Sequence, residues 1–408
     1  MDALALLGGN PVRKQAYPEW PFYETDEELQ AIVGAFQSGH LCGAAGGEQI
    51  PALEVEFAAW CGAAGAVAVN SGSSALQTAL AAVDVGVGDE VIVPSYTYYS
   101  SATSVLDRGA IPVFADIDRA TANLDPESFR ALITQRTKAV MAVHANGIPV
   151  DMDAVLAIAN EHGIAVVEDC SHSHGAVYKG KRVGCVGHVG AFSIQHKKIL
   201  SVGEGGLVVS RDAGIVAKAR AYANLGEGTK TGILGPNLRM GELHGALARV
   251  RLGRVDAENV IRRANAQMLR EAIADLPGVH AVPAARREGV DETYYNFTLD
   301  YDAQEIGVPR RRFAEAVQAE GVPLRVNGYS PLNLMPVFEN MDVWPYRLTE
   351  NQPSLEGRKL YGEGVCPVAE AFMTEGNFEL KIHPPCGEAE IMAVAEAVRK
   401  VITQAGNL

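Results

Sequence analysis

Two adjacent lysines, Lys197 and Lys198, stand in the stretch FSIQHKKILSVGEGG, which covers residues 192–206. Neighbouring side chains on an extended segment point in opposite directions, so at most one of the two is expected to face a cavity. A lysine beside apolar surface loses part of its preference for the charged form and becomes a nucleophile or a Schiff-base former. The stretch therefore predicts one reactive amine just before a glycine-rich turn.

A second group of reactive side chains ends the hydrophobic stretch VVEDCSHSHG at residues 166–175, where Glu168 and Asp169 are followed by His172 and His174. An acid at the end of a buried strand needs a partner or a function. A metal site is one alternative, but no further ligand with suitable spacing accompanies these residues. We therefore predict no metal, and we expect His174 to be structural.

A third stretch, NSGSSAL at residues 70–76, is a glycine- and serine-rich turn that leads into a helix. Free backbone N–H groups and hydroxyls at a helix start bind anions. The alternative is an ordinary N-cap with a tight turn, and this stretch alone leaves both open. A reactive amine, a carboxylate and an anion site are together the set that pyridoxal phosphate requires.

These residues lie where short β-rich runs meet loops, at residues 66–72, 90–96, 111–117, 138–147, 164–170 and 189–195. Helical stretches alternate with these runs, and residues 151–163 read as an amphipathic helix closed by Gly163. The alternation predicts an α/β fold with a mostly parallel sheet and helices on both faces. Ligands of such sheets bind at the carboxyl ends of the strands. Residues 206–210 follow a tight turn and are expected to return antiparallel.

The pattern changes from about Val250 onwards. A long helical segment at residues 243–278 leads to a β-rich run at 293–301, and a last helix covers 388–402. We therefore predict two domains. Residues 1–250 form a large cofactor-binding domain with an N-terminal arm, and residues 251–408 form a small C-terminal α+β domain.

Composition restricts the possible partners. The 408 residues carry a net charge of −14, which argues against binding to a phosphate backbone. No apolar run approaches the ~20 residues of a membrane helix, and the first residues do not resemble a secretory signal. The six cysteines are scattered, without a CxxC pair. We expect a cytoplasmic protein that binds neither nucleic acid nor membranes.

Five motifs together resemble the DegT/StrS-type (DnrJ-like) aminotransferases, which aminate keto sugars and keto cyclitols with pyridoxal phosphate. The motifs are SGSSAL, VPSYTYYSSAT, EDCSHSHGA, FSIQHKKILSVGEGG and NLRMGELHGAL, in the order and spacing of the family. The resemblance covers nearly the whole chain. It implies the aspartate-aminotransferase-like fold of pyridoxal phosphate enzymes, known as fold type I.

The resemblance also assigns roles to individual residues. The family places a serine five residues before its lysine and GEGG five residues after it, and Ser193 and Gly203 fit this spacing only if the lysine is Lys198. Lys198 would form the internal aldimine and move the proton during transamination, with pyridoxamine phosphate as the intermediate. Asp169 would pair with the pyridine nitrogen, and His172 would approach the phenolic oxygen.

The remaining roles concern the ring face and the phosphate. Tyr98 matches the aromatic residue that stacks on the cofactor ring, and Ser73, Ser74 and Ser193 match the phosphate-binding residues. Asn237 resembles the residue that reaches the phosphate of the partner subunit's cofactor, which implies a homodimer with shared active sites. The usual NYRM of the family is NLRM here, so the aromatic side chain is replaced by Leu238.

The resemblance implies an amino donor, L-glutamine or L-glutamate, and a keto cyclitol or keto sugar acceptor in secondary-metabolite or sugar biosynthesis. Gln195 and the segment FELKIHPP at 378–385 favour the branch of scyllo-inosose aminotransferases and aminohydroxybenzoate synthases. Arg239, Lys381 and His383 are candidates for substrate contacts. The alternatives are a nucleotide-linked keto sugar as acceptor, a dehydratase or synthase of the same fold, and a non-catalytic regulator. The retained lysine favours transamination over dehydration, because the related sugar dehydratases carry histidine there.

Overall fold

The computed structural model of the protein describes residues 3–20, 25–227, 232–326, 330–339 and 358–408. Its strands are β1 (Gly65–Val69), β2 (Glu90–Pro94), β3 (Ile111–Ala115), β4 (Ile117–Asp118), β5 (Asn123–Leu124), β6 (Thr137–Val143), β7 (Ala165–Asp169), β8 (Val177–Tyr178), β9 (Lys181–Arg182), β10 (Val189–Ser193), β11 (Gly206–Ser210), β12 (Val279–Val282), β13 (Val290–Asp291), β14 (Phe297–Tyr301), β15 (Arg325–Val326) and β16 (Asn377–Leu380). Its α-helices are α1 (Asp26–Gln37), α2 (Gln49–Cys61), α3 (Gly72–Ala82), α4 (Ser100–Asp107), α5 (Pro126–Leu132), α6 (Met152–His162), α7 (Ala213–Ala223), α8 (Glu242–Leu252), α9 (Val255–Ile273), α10 (Ala303–Ile306), α11 (Arg310–Ala319), α12 (Pro336–Glu339), α13 (Pro367–Thr374) and α14 (Glu388–Thr403).

The main sheet has seven strands in the order β1-β11-β10-β7-β6-β2-β3. The pairs β10/β7, β7/β6, β6/β2 and β2/β3 are parallel, whereas β11 runs antiparallel to both β10 and β1. The predicted antiparallel return at residues 206–210 is therefore correct. Every residue of β2, β3, β10 and β11 is buried, so both faces of the sheet are covered.

The parallel arrangement brings separate segments of the chain to one edge of the sheet. The carboxyl ends of β1, β2, β6, β7 and β10 all lie at this edge, because the five strands run in the same direction. The predicted reactive residues follow these strand ends directly in sequence. The topology therefore places them near one another, as expected for ligand sites in α/β sheets.

Local sequence explains where two of the helices begin and end. Helix α6 begins after Asp151, whose side chain accepts a hydrogen bond from the backbone N–H of Ala154, and it ends at Gly163, which adopts the left-handed conformation with φ 67°. The helical segment predicted at 243–278 is instead two helices, α8 and α9, which are interrupted at Gly253 and Arg254. Glycine weakens a helix interior, which accounts for a break at this point.

The described residues form two hydrophobic cores. The first surrounds the main sheet and includes Phe372 of α13. The second lies between the sheet β12-β14-β16-β15 and helices α9, α11 and α14, and it includes Leu4 of the N-terminal arm. The buried carboxylate of Glu320 binds this arm to the second core, since it accepts hydrogen bonds from the backbone N–H groups of Ala5 and Val12. The division of the chain at residue 250 stays a prediction.

The length and polarity of the helices bear on whether any of them could cross a lipid bilayer. Within the described parts of the chain, every helix is too short or too polar to cross a membrane.

Candidate active site

A cavity of 380 Å³ lies at the carboxyl edge of the main sheet. Its volume is in the range of small-molecule sites. Six of the eight predicted site residues line it: Ser73, Tyr98, Asp169, His172, Ser193 and Lys198. The structure thus brings together the predicted amine, the predicted carboxylate and part of the predicted anion site.

The two adjacent lysines differ in their surroundings. Both lysines line the cavity, so the expectation that at most one of them faces it is wrong, because this segment forms a turn instead of an extended strand. Lys197 is exposed, whereas Lys198 is half-buried, and the Nζ atom of Lys198 lies 4.8 Å from the centre of the Tyr295 ring. Burial lowers the pKa of Lys198 to about 8, although the negative charge of Asp169 opposes this shift. The side chain of Lys198 therefore presents an amine that is partly neutral near pH 8, which is the form that attacks carbonyl groups.

The carboxylate of Asp169 is held in place from two sides. Its Oδ2 accepts a hydrogen bond of 2.8 Å from the hydroxyl of Ser101, and its Oδ1 accepts one of 3.0 Å from the backbone N–H of Ser171. Asp169 is only 5% exposed, yet it lines the cavity. A carboxylate has about four acceptor positions, so this one retains capacity for a further donor inside the cavity.

His172 forms part of the cavity wall together with Tyr295. The two rings stack with their centres 4.1 Å apart and their planes at 13°. Nδ1 of His172 accepts a hydrogen bond from the backbone N–H of Asn146 at 3.4 Å. Burial, reinforced by the nearby charges of Lys198 and Lys381, lowers the pKa of His172 well below its usual value. The ring is therefore neutral at physiological pH, with its proton on Nε2.

The start of α3 meets the end of β10 at very short range. A Cβ atom added to Gly72 would lie 2.4 Å from Cβ of Ser193, so only glycine permits this approach. The first N–H groups of a helix have no partner within the helix. Gly72, Ser73 and Ser193 thus form a polar corner of the cavity, which we call the α3 cradle, and it suits a phosphate group.

Ser74 lies outside the cavity lining. Its hydroxyl donates to Oδ1 of Asn70 at 2.6 Å, and its backbone N–H donates to Oγ of Ser71, the N-cap of α3. The N-cap interpretation therefore describes Ser71 and Ser74, while Ser73 faces the cavity. A phosphate contact by the Ser74 hydroxyl would compete with its hydrogen bond to Asn70.

Asn237, the second predicted residue outside the lining, is exposed. Its Oδ1 accepts a hydrogen bond of 3.2 Å from the backbone N–H of Arg239. The next residue, Leu238, is buried in the first core, and its carbonyl accepts from the backbone N–H of Asn70 at 2.8 Å. The segment is thus attached to the turn before α3, while the Asn237 side chain is on the surface of its own chain.

The three candidates for substrate contacts also lie outside the cavity lining. His383 is buried, where Nδ1 accepts from Nε of Arg262 at 2.7 Å and the ring stacks on Trp20 at 4.0 Å. Arg239 donates to the side-chain oxygen of Asn224. Lys381 donates to the carbonyl of Tyr295 at 2.7 Å, and its Nζ lies 3.4 Å from the centre of that ring. The side chains of His383 and Arg239 therefore form hydrogen bonds within the protein. Lys381 contacts Tyr295, a residue of the cavity wall, without lining the cavity itself.

Glu168, the acid beside Asp169, has a structural role. Its carboxylate accepts hydrogen bonds from the backbone N–H groups of Gly184, Val186 and Gly187 at 2.7–2.9 Å. It also accepts one from Nε2 of His144 at 3.0 Å, and Nδ1 of His144 accepts from the backbone N–H of Val150. Glu168 therefore holds the loop that follows β9.

The ligand atoms of His144, Glu168 and Cys170 lie within 4.8 Å of one another, which is the spacing of a metal site. Both ring nitrogens of His144 are already engaged, and the Glu168 oxygens accept four hydrogen bonds. Burial, together with the charges of Glu168 and Asp169, raises the pKa of the Cys170 thiol well above its usual value. Since a metal needs a thiolate and free lone pairs, this cluster does not suit one.

The cavity also contains residues to which the sequence interpretation gave no role: Tyr96, Ser101, Asn146, Tyr295, Asn296, Arg325, Met373 and Glu379. Ser101 belongs to the quoted motif VPSYTYYSSAT, so the motif indicated its place near the site but not its role. Glu379 belongs to the quoted segment FELKIHPP, which gave it no role of its own, and Arg325 belongs to none of the quoted motifs.

The chemistry of the cavity fits pyridoxal phosphate. The amine of Lys198, the accessible carboxylate of Asp169 and the α3 cradle match an aldehyde, a pyridine nitrogen and a phosphate. Tyr98, which is 38% exposed, also lines the cavity and offers an aromatic face.

Comparison with known proteins identifies aminotransferases as similar to this chain. The model of the DegT/DnrJ/EryC1/StrS aminotransferase family matches residues 23–399. The chain is 36% identical over 351 residues to the L-glutamine:2-deoxy-scyllo-inosose aminotransferase of Streptoalloteichus tenebrarius, covering 81% of this chain and 82% of that protein. It is 37% identical over 277 residues to the 3-amino-5-hydroxybenzoate synthase of Amycolatopsis mediterranei, covering 66% and 71% of the two chains.

Solved structures are similar over nearly the whole chain. An aminotransferase from Psychrobacter cryohalolentis has a TM-score of 0.85 at 32% identity, and the match covers 96% of this chain and all of that one. DesV of S. venezuelae has a TM-score of 0.81 at 33% identity, covering 92% and 94%. These matches confirm the predicted fold class. The chain belongs to the DegT/DnrJ/EryC1/StrS aminotransferase family.

Proposed function

We propose that this aminotransferase uses pyridoxal phosphate to move the amino group of L-glutamine or L-glutamate to a keto cyclitol or keto sugar. The observation that carries the proposal is the single cavity lined by the lowered-pKa amine of Lys198, the carboxylate of Asp169 and the α3 cradle. When bound, the cofactor supplies an electron sink for the carbon that loses a proton during transamination.

Each polar residue of the cavity then has a task. The carboxylate of Asp169 keeps a proton on the pyridine nitrogen, and the Ser101 hydroxyl and the Ser171 N–H hold that carboxylate in position. Ser73, Ser193 and the first N–H groups of α3 bind the phosphate. Lys198 holds the cofactor through its Nζ, and this atom then takes up and returns the proton that moves during transamination.

Two cavity residues and one surface residue complete the site in this proposal. Tyr98 packs on one face of the cofactor ring, and neutral His172 contacts its phenolic oxygen side through the Nε2 proton. The exposed side chain of Asn237 reaches the phosphate bound by the partner subunit, so the active sites are shared within a homodimer. The six cysteines are all free thiols, which favours a reducing compartment such as the cytoplasm.

The similar proteins favour a keto cyclitol over a nucleotide-linked keto sugar as acceptor. Several relatives at 34–37% identity are named for 2-deoxy-scyllo-inosose or scyllo-inosose. The similarity to DesI, whose structure was determined in the presence of its TDP-sugar product, and to the 3-amino-5-hydroxybenzoate synthase keeps a nucleotide-linked keto sugar and a synthase reaction as alternatives. Lys198, Asp169 and the α3 cradle disfavour a non-catalytic regulator.

Spectroscopy of the two half-reactions tests the proposal. The protein is reconstituted with pyridoxal phosphate and mixed with L-glutamine, L-glutamate or L-alanine, and the cofactor absorbance is followed. The converted enzyme is then given keto cyclitols or nucleotide-linked keto sugars, and the products are identified by mass spectrometry. We expect conversion by L-glutamine or L-glutamate and an aminocyclitol product. Elimination without amino transfer would overturn the proposal, and amination of nucleotide-linked keto sugars alone would replace the keto cyclitol by the alternative acceptor.

A further inference from the structure

Glu379 is a buried acid in the cavity wall that the proposed cofactor chemistry does not use. It lies on β16, is 7% exposed and lines the same cavity as Lys198. Its Oε1 accepts a hydrogen bond of 3.3 Å from the hydroxyl of Tyr96. Among the described residues this is the one hydrogen bond to the Glu379 carboxylate. Because a buried carboxylate normally fills its acceptor positions, Oε2 is left to accept from a ligand.

The direction of the Tyr96 hydrogen bond is determined by a chain of amides. Nδ2 of Asn146 donates to the Tyr96 hydroxyl at 2.8 Å, and Nδ2 of Asn296 donates to Oδ1 of Asn146 at 2.8 Å. The Tyr96 oxygen is therefore an acceptor toward Asn146, and its single proton points to Glu379. This buried network orients the Glu379 carboxylate before any ligand arrives.

Arg325 stands directly beside Glu379. The two residues are partners in the antiparallel pair β15/β16. Their side chains therefore project from the same face of the four-stranded sheet β12-β14-β16-β15, which we call the small sheet. Both line the cavity. Within the described parts of the chain, the guanidinium of Arg325 has neither an ion pair nor a hydrogen bond. The cavity wall thus presents a carboxylate that accepts hydrogen bonds next to a guanidinium that donates them.

This combination suits a neutral ring that carries several hydroxyl groups. A hydroxyl donates to a carboxylate oxygen, and its own oxygen accepts from a guanidinium. A phosphate-bearing or carboxylate-bearing acceptor could pair with Arg325, but it would bring a like charge to Glu379 and leave that carboxylate without a donor, whereas hydroxyl groups satisfy both side chains. We propose that Glu379 and Arg325, with Glu379 oriented by Tyr96, form the acceptor subsite and select an uncharged polyhydroxylated keto ring. This inference rests on the proposed function, and it assigns the acceptor specificity to the small sheet.

The substitution Glu379→Gln tests the subsite, because it removes the charge and keeps the shape. Isothermal calorimetry measures the binding of scyllo-inositol, an unreactive cyclitol, to the holoenzyme after treatment with L-glutamine and desalting. We expect the Kd to rise by about tenfold to a hundredfold, the usual effect of losing a hydrogen bond to a charged group. In steady state, KM for the keto cyclitol should rise similarly, while the half-reaction with L-glutamine changes by less than about threefold.

Two further variants make the test specific. Glu375→Gln changes an exposed acid just before β16 and should leave the Kd for scyllo-inositol unchanged. Arg325→Met removes the second half of the subsite and should weaken binding in the same direction as Glu379→Gln. Thermal unfolding of all variants shows whether each one is folded.

The measurements separate this inference from the proposed function. If scyllo-inositol binds the wild type and the Glu379→Gln variant equally, or binds neither, the subsite is wrong whatever the enzyme turns over. An equal loss in the L-glutamine half-reaction and in cyclitol binding would also overturn it, since Glu379 would then support the whole site. Weaker cyclitol binding in Glu379→Gln supports the subsite even if the wild type aminates a different acceptor, and only the proposed function then fails.

Discussion

At the scale of single residues, the difference between Lys197 and Lys198 has a measurable consequence. The lowered pKa of Lys198 means that its amine is roughly one-tenth neutral at pH 7 and roughly nine-tenths neutral at pH 9. An exposed lysine with an ordinary pKa near 10.4 is almost fully protonated over this range. Since the neutral amine is the nucleophile, the reactivity of Lys198 toward an aldehyde rises with pH through about 8.

We predict that pyridoxal phosphate added to the apoenzyme is trapped by borohydride on Lys198, at a rate that rises with pH to a midpoint of about 8. Peptide mapping by mass spectrometry locates the label. Lys198→Ala should lose both the label and transamination, whereas Lys197→Ala should retain both. Label on Lys197 would contradict the assignment and make Lys197 the lysine that binds the cofactor.

A second prediction concerns the charge of Asp169. Asp169→Asn should still bind the cofactor but lose about 10²–10³ in the rate of the donor half-reaction, or ~3–4 kcal/mol, because the pyridine nitrogen loses the charge that keeps it protonated. Stopped-flow absorbance measures the rate, and fluorescence titration measures cofactor binding. The surface variant Asp153→Asn is the matched control. A half-reaction close to wild type in Asp169→Asn would show that another group holds this proton.

At the scale of elements, the site depends on the contact between the start of α3 and the end of β10. Gly72→Ala would place Cβ 2.4 Å from Cβ of Ser193, a short and rigid neighbour, so the helix start must move away. We predict weaker binding of the cofactor by about tenfold or more, because the α3 cradle opens. Gly86→Ala is the control, since a Cβ there meets nothing within 4 Å. Equal cofactor affinity in the two variants would mean that the α3 cradle does not bind the phosphate.

The loop after β9 depends on the end of β7. Glu168→Gln replaces an oxygen that accepts backbone N–H groups with an amide NH₂, which leaves buried donors facing each other. We predict a loss of about 2–3 kcal/mol in the free energy of unfolding, measured in urea. The exposed Glu396 of α14 provides the control variant Glu396→Gln, which should unfold like the wild type. An unchanged urea midpoint in Glu168→Gln would show that the loop is held by other contacts.

At the scale of the whole molecule, the exposed position of Asn237 predicts complementation between subunits. Lys198→Ala and Asn237→Asp are each expected to be inactive, the second because its carboxylate repels the phosphate. When the two are unfolded and refolded together in equal amounts, roughly half of the dimers are mixed, and one site in each mixed dimer is intact. About a quarter of all sites should therefore regain activity.

A site formed within one chain predicts a different result for the same mixture. If Asn237 serves the site of its own chain, every site in the mixture carries one lesion and no activity returns. Native mass spectrometry establishes that mixed dimers have formed. Recovery of activity in the mixture, with none in either variant alone, supports shared active sites. If proven mixed dimers show no activity, the active sites are not shared.

The amino-acid sequence by itself determined the mostly parallel main sheet and the candidate residues at its carboxyl edge. The strands that end at Val69, Asp169 and Ser193 are hydrophobic and run in the same direction, so their carboxyl ends lie at one edge of the sheet. The strand pattern therefore predicted that the turn at 70–76, the acid at 169 and the lysine pair lie close together, and the family resemblance selected Ser73 and Lys198 among them. The same local signals placed the end of α6 at Gly163.

Tertiary structure decided what depends on contacts between distant segments. Glu379 and Arg325 reach the cavity because β15 and β16 lie beside the carboxyl edge of the main sheet, and no spacing along the chain encodes that approach. Glu168 had the same sequence signal as Asp169, and only the backbone N–H groups of the loop at 184–187 show it to be structural. Local pattern reveals which face of a strand or helix is apolar, but the partners of a buried polar group are set by packing.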